Sequence, residues 1–133
     1  MSSGIKIYKI DDFIRKNESG EIDFDRSMKI IRELATAAAF HTNHNILIDL
    51  RDTTVTTNSM NDILKITIEM ARFKSIFKNK IANVIPDNEE RLSIAKQFKA
   101  CLDIKDFQYN FFTDFEDAIE WFSGTTHLGT AND

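Results

Sequence analysis

The sequence is short of cysteine, proline and glycine, and each shortage excludes a class of protein. Its 133 residues include one cysteine, Cys101, so an internal disulfide and a cysteine-based metal site are both excluded. This usage is typical of a reducing compartment, and we expect a cytoplasmic protein. With four glycines and one proline the chain has few tight turns, which argues against a β-sandwich and against a disordered chain.

The chain also lacks an excess of positive charge and a long apolar run. Lys and Arg total 17 and Asp and Glu total 21, which gives a formal net charge of −4. A nucleic-acid partner is not expected, because such binders carry a basic surface. No stretch approaches the roughly 18 apolar residues of a membrane span, and the first residues form no apolar signal core. We therefore expect a protein without a membrane span.

Apolar periodicity predicts one α/β domain in which strands alternate with helices. Residues 5–10 and 13–15 are predicted to pair as a hairpin, and residues 17–20 to form a turn. The compact apolar runs 46–50 and 81–85 are typical of buried parallel strands, and 107–112 alternates as a further strand. Helices are predicted to begin after the capping residues Asp25, Asn58 or Ser59, Asp87 and Asp114.

The predicted order is ββαβαβαβα, a mixed, mostly parallel sheet covered by about four helices. Residues 1–122 would form the domain. Residues 123–133 have little to bury, and we expect a flexible C-terminal tail.

The second predicted helix has apolar residues around more of its circumference than burial on one side requires. One stripe comprises Ile63, Ile66, Met70, Phe73 and Phe77. A second comprises Met60, Leu64, Ile68 and Ala71. Part of this helix is therefore expected to contact something beyond the sheet: a neighbouring helix, a dimer mate, a protein partner or an apolar ligand.

No set of residues in the sequence is typical of a catalytic or metal centre. Neither a Ser–His nor a Cys–His pairing is recognisable, and there is no glycine-rich phosphate loop. His41 and His44 are too few for a metal site. We expect a protein that is not an enzyme and uses no cofactor. Arg51, at the end of the central strand, is a candidate anion contact; the alternative is that Asp49 or Asp52 simply bonds the following loop.

Several segments resemble STAS domains, the sulphate-transporter and anti-sigma-factor-antagonist domains, and in particular their stand-alone SpoIIAA-like branch. The resemblance rests on residues 46–53 followed by a polar loop and a helix at Asn58 and Ser59. The fragments 20–22, 84–87 and 117–122 fit the same pattern. It implies a (βα) superhelix, a fold shared with lipid-carrying CRAL-TRIO domains.

The resemblance also implies two roles for the region around the second helix. In the family's phosphoswitch members a serine before this helix is phosphorylated; Asn58 occupies that place here, and the next position keeps a serine, Ser59. We therefore expect a regulatory protein-interaction module or a dimer, with a contact surface within residues 56–77. The expected contact residues are Asn58, Ser59, Met60, Ile63, Ile66, Met70, Phe73 and Phe77. The alternative is a carrier or sensor of an apolar molecule, which would need a cavity rather than an exposed patch.

Overall fold

Four parallel strands form the central sheet, and they lie side by side in chain order. The structure is a computed structural model that describes residues 4–56, 59–124 and 126–128. The sheet order is β2-β3-β4-β5, and a separate two-stranded sheet pairs β1 with β6. The strands are β1 (Ile5–Ile7), β2 (Phe13–Ile22), β3 (Asn45–Val55), β4 (Ile81–Val84), β5 (Tyr109–Phe112) and β6 (Thr126–Leu128). The predicted α/β class with a mostly parallel sheet is confirmed.

Four helices connect or follow these strands, and each begins at a short polar side chain. They are α1 (Phe24–Phe40), α2 (Met60–Arg72), α3 (Glu89–Ile104) and α4 (Phe115–Ser123). The caps are Asp23, Ser59, Asn88 and Asp114, and each side chain accepts a hydrogen bond from a backbone N–H of the first turn. Ser59 and Asp114 were predicted as caps. Asp25 and Asp87 were predicted wrongly, because Asp23 and Asn88 stand in the extended conformation that a cap requires.

The predicted hairpin between the first two strands is wrong. β1 pairs antiparallel with β6, and β2 pairs parallel with β3. The polar break at Asp11 and Asp12 separates β1 from β2 without folding one against the other. The predicted turn at residues 17–20 lies within β2, where Gly20 adopts a φ of 82° that glycine tolerates without strain.

Part of the tail predicted to be flexible contributes a strand. Within residues 123–133, Ser123 ends α4 and residues 126–128 form β6 against β1. Thr125 and residues 129–133 lie outside the described residues, so for them the flexible tail stays a prediction.

Three helices pack on one face of the sheet and the fourth packs on the other. Consecutive parallel strands joined by right-handed crossovers place every connecting helix on the same side. The larger buried cluster accordingly joins α1, α2 and α3 to the sheet, whereas a smaller cluster joins α4 to Leu47, Ala82 and Val84. We call the side that carries α1, α2 and α3 the three-helix face.

β3 contains one more residue than β2 over part of their pairing. Asn17 lies opposite Asp49, but Ser19 lies opposite Asp52. An extra residue reverses the alternation of side chains along a strand. Ile46 and Ile48 face the three helices before this bulge, and Thr53 is buried beside α3 after it.

A buried carboxylate joins the first two helices. Glu69 on α2 is 4% exposed and accepts hydrogen bonds from Arg32 on α1 and from Arg72, each at 2.8 Å. The Arg32 hydrogen bond is the main cause that lowers the pKa of Glu69. α2 is thereby held beside α1 by charged as well as apolar contacts.

Candidate functional site

A cavity of about 160 Å³ lies between the three-helix face of the sheet and the helices above it. Its walls combine alternate residues of the strands with the inward stripes of α1, α2 and α3. Isoleucines dominate the wall, among them Ile30, Ile31, Ile46, Ile48, Ile63, Ile66, Ile81 and Ile94. The core on this side is therefore apolar but incompletely filled.

Two polar side chains on neighbouring strands interrupt this apolar wall. Asn83 on β4 donates from Nδ2 to the Tyr109 hydroxyl on β5 at 2.7 Å. Asn83 Oδ1 is buried and has no hydrogen-bond partner within the described residues. Burial raises the pKa of Tyr109, so its phenol stays neutral and keeps a proton to donate.

A buried cation also lines the cavity, together with Ser27. Arg91, in the first turn of α3, is 8% exposed. Its guanidinium donates to the carbonyl oxygen of Thr53 at 2.8 Å and to Thr53 Oγ1 at 3.1 Å. No ion pair joins Arg91 to a carboxylate in the part of the chain that the structure describes. Burial lowers the pKa of Arg91, while the charge of its neighbour Glu90 acts in the opposite direction.

Three of the four polar residues joined by these hydrogen bonds lie toward the carboxyl edge of the sheet: Thr53 and Asn83 stand in the second halves of β3 and β4, and Arg91 lies in the first turn of the helix that follows β4. Tyr109 is the first residue of β5, at the amino edge, and its hydroxyl reaches Asn83. α1, α2 and α3 each follow a parallel strand, so their N-termini gather at the carboxyl edge. The edge carries the positive ends of three helix dipoles, and ligands of open α/β sheets commonly bind there.

The predicted contact residues of the second helix separate into buried and exposed groups. Ile63, Met70 and Phe77 are buried, at 2%, 7% and 3% exposure. Ile66 and Phe73 are half-buried against the same core. Met60 is exposed, at 47%. The first apolar stripe is therefore largely core.

The second stripe of α2 faces outward. Met60, Leu64 and Ile68, spaced four residues apart, are 47%, 46% and 60% exposed. We call these three residues the outer stripe. The excess of apolar residues on α2 was predicted, but most of the contact surface was predicted on the stripe that is in fact buried.

The candidate phosphorylation site lies at the start of α2. Ser59 is exposed, and its Oγ accepts a hydrogen bond from the backbone N–H of Asp62 at 3.1 Å. The structure thus gives Ser59 the role of a helix cap. Asn58 lies outside the described residues, and phosphorylation of Ser59 stays a prediction.

The candidate anion contact is paired with a neighbour on its own strand. Arg51 donates to Asp49 Oδ1 at 2.9 Å and to Oδ2 at 2.7 Å, and Arg15 reaches Oδ2 at 3.2 Å. The Asp49 side chain also accepts from the backbone N–H of Arg51. The alternative interpretation placed this bond in the loop after the strand, but Arg51 lies within β3, so Asp49 bonds its own strand. Anion binding by Arg51 stays a prediction.

The polar residues of the cavity were not among the residues predicted from the sequence. Asn83 left a usable signal, because it is the one polar residue in the apolar run 81–85. Arg91 left none, since a charged residue in the first turn of a helix is normally solvated. Thr53 is turned toward α3 only by the bulge in β3.

Comparison of the chain with protein-family models, with curated proteins and with solved structures gives no match. The described residues include no group of three or more potential metal ligands. None of the described helices is long and apolar enough to cross a membrane.

Proposed function

We propose that this domain binds a small, mainly apolar molecule in the cavity beneath α2, as a carrier or sensor rather than as an enzyme. The observation that carries the proposal is the cavity itself, bounded by three helices and the sheet. Cavities of about 150 Å³ with Leu, Ile and Phe walls bind benzene. A volume of about 160 Å³ therefore suits a ligand with a body near the size of a benzene ring.

Ligand binding in the cavity would also stabilise the protein. A molecule that binds the native state and not the unfolded state raises the free energy of unfolding by RT ln(1 + c/Kd) at a ligand concentration c, which is about 2.7 kcal/mol when c is 100 times Kd.

A related proposal concerns the fold. We propose that the domain is a STAS-like (βα) superhelix of the SpoIIAA-like type. The consecutive order of parallel strands, with three connecting helices on one face, supports that interpretation.

Isoleucine-methyl NMR tests the proposed function directly, because isoleucines line the cavity and others lie outside it. Toluene is titrated into protein labelled at the isoleucine δ1-methyl groups. We expect saturable shifts at Ile30, Ile48 and Ile81 and unchanged signals at Ile5 and Ile104, which are 63% and 80% exposed. Shifts confined to the exposed isoleucines, or no shifts at all, would contradict the proposal.

The outer stripe favours a second candidate function, a regulatory module that docks on a protein or on a second copy of itself. Three exposed apolar side chains in one row exceed what a solvated helix needs. Sedimentation velocity on the wild type and on Ile68→Asp tests self-association. A dimer that the substitution abolishes would support docking through the outer stripe.

A further inference from the structure

We propose that the ligand of this cavity is a small carboxylate, an apolar body with one anionic group that pairs with Arg91. This inference rests on the proposed function and adds the chemical class of the ligand. The observation behind it is a buried guanidinium on the cavity wall whose hydrogen bonds, within the described residues, go to the neutral Thr53.

Arg91 is a buried cation that makes no ion pair among the described residues, although the charge of Glu90 acts on it. Buried cations in proteins are normally paired, because desolvating an isolated charge is strongly unfavourable. Arg91 is 8% exposed, and the ion pairs among the described residues do not include it. A guanidinium carries five N–H donors, and Thr53 takes two of them. The remaining donors and the positive charge match a carboxylate, which guanidinium binds in a bidentate manner.

The other polar groups of the cavity add donors of the kind that a carboxylate requires. The Tyr109 hydroxyl accepts from Asn83, so its own proton is available to a ligand oxygen. Turning the Asn83 amide over would let Tyr109 donate to Oδ1 and would leave Nδ2 as the free donor. In either orientation at least one donor remains. The helix N-termini at the carboxyl edge of the sheet add positive potential.

The size and polarity of the cavity restrict the rest of the ligand. A volume of about 160 Å³ holds one ring or a short branched chain. Apart from Ser27, Asn83 and Tyr109 the rest of the wall is apolar, and Arg91 is the one charged residue among the described residues that line the cavity, so a second charged group on the ligand would be buried without a counterion. The expected class is therefore a small aromatic or short-chain aliphatic monocarboxylic acid.

Benzoate and benzamide form a matched pair for the test, because they share size and shape but differ in charge at pH 7. Affinities are measured by isoleucine-methyl NMR titration of the wild-type protein, with toluene as the neutral apolar reference. We expect benzoate to bind roughly 10- to 100-fold more tightly than benzamide, the gain typical of hydrogen bonds to charged groups. The shifts should include Ile94, which is one helical turn from Arg91 and lines the cavity.

Variants at position 91 then assign the preference to the guanidinium. In Arg91→Met the ratio of benzoate to benzamide affinity should fall to one or below, because the carboxylate would then be buried without a cation. Toluene titration of the same variant reports whether the cavity is still intact. Arg91→Lys should keep part of the preference, since it keeps the charge but loses the bidentate geometry. Circular dichroism confirms the fold of each variant. If Arg91→Met does not fold, the wild-type ratio and Arg91→Lys still test the proposal.

The outcomes separate the two proposals. If toluene binds but wild-type benzoate shows no advantage over benzamide, the carboxylate proposal fails and the apolar-ligand function stands. The carboxylate proposal also fails if benzoate shifts only methyl groups outside the cavity, as it would when bound at surface arginines. If none of the three compounds shifts the cavity methyl groups, both proposals fail.

Discussion

Asp49 pairs with two arginines on the face of the sheet that carries α4. Its carboxylate lies between Arg15 and Arg51 on the side opposite α1, α2 and α3. The hydrogen bonds from Arg51 lower the pKa of Asp49 from 3.8 to about 2. A carboxylate whose pKa is depressed on folding stabilises the native state at every pH above its unfolded value.

This charge arrangement predicts a pH dependence that one substitution removes. Asp49→Asn should lower the free energy of unfolding at pH 7 by about 1 kcal/mol, a value discounted because both arginines are partly exposed. The difference between wild type and variant should shrink as the pH falls from about 4 to about 2, the interval in which folded Asp49 takes up its proton. Urea denaturation at a series of pH values measures it.

The exposed neighbour Asp52 supplies the control for this measurement. Asp52→Asn should change stability by less than about 0.5 kcal/mol. Identical pH profiles for Asp49→Asn and wild type would show that the paired arginines contribute nothing to stability.

Residue identity predicted local roles better than it predicted tertiary ones. The caps Ser59 and Asp114 could be found because capping depends on atoms only a few residues away. The burial of Arg91 could not, since it depends on Thr53, which lies 38 positions earlier in the chain and is turned inward by a bulge. A few neighbouring residues are therefore enough to predict a helix cap, but they are not enough to predict the polar part of the cavity.

The two apolar stripes of α2 have different surroundings. The inner stripe contacts the core and lines the cavity. The outer stripe is in contact with solvent. An isoleucine on the inner side of α2 therefore contributes to the free energy of unfolding, whereas an isoleucine on the outer side contributes little.

Matched aspartate substitutions on α2 should reveal this difference. Ile63→Asp places a carboxylate at a position 2% exposed and should reduce the free energy of unfolding by about 4 kcal/mol or more. Ile68→Asp, at a position 60% exposed, should change it by less than about 0.5 kcal/mol. Thermal and chemical denaturation of both variants provide the measurement. Unfolding of the monomer by Ile68→Asp would mean that the outer stripe packs inside the protein, and the docking function would be rejected.

The elements themselves were largely predictable, whereas the pairing of the terminal strands was not. Period-two and helical patterns, with their polar caps, predicted four helices and the three strands β3, β4 and β5. The partner of β1 is β6, more than 100 residues away, and no local pattern carries that information. Proximity in sequence favoured a hairpin that the molecule does not form.

For the whole molecule, the incompletely filled core on the three-helix face is the decisive property. The core opposite it, beneath α4, contains Ala118 with no exposed surface. Apolar periodicity can assign residues to a core, but it cannot predict whether their volumes fill it. The cavity could therefore not be predicted from the sequence, which named a cavity only as what the alternative of a ligand carrier would need.

Filling the cavity should stabilise the protein and prevent ligand binding. Ala95 on α3 lines the cavity and is 6% exposed. Ala95→Leu should raise the free energy of unfolding by about 1–2 kcal/mol and abolish the toluene-induced shifts. The control is Ala118→Leu in the other core, which should lower stability by about 1–3 kcal/mol through overpacking. If Ala95→Leu destabilises the protein as much as Ala118→Leu, the space beside Ala95 is not available to a ligand.

The pairing of β1 with β6 determines how the protein would respond to tension. Ile5 lies opposite Leu128 and Ile7 opposite Thr126, so the start of β1 and the end of β6 lie at the same end of the pair. A force that pulls the start of β1 away from the end of β6 breaks the backbone hydrogen bonds between them one after another. The short β1–β6 pair would then separate at low force, before any strand of the central sheet bears load. The central sheet would stay folded while this pair opens.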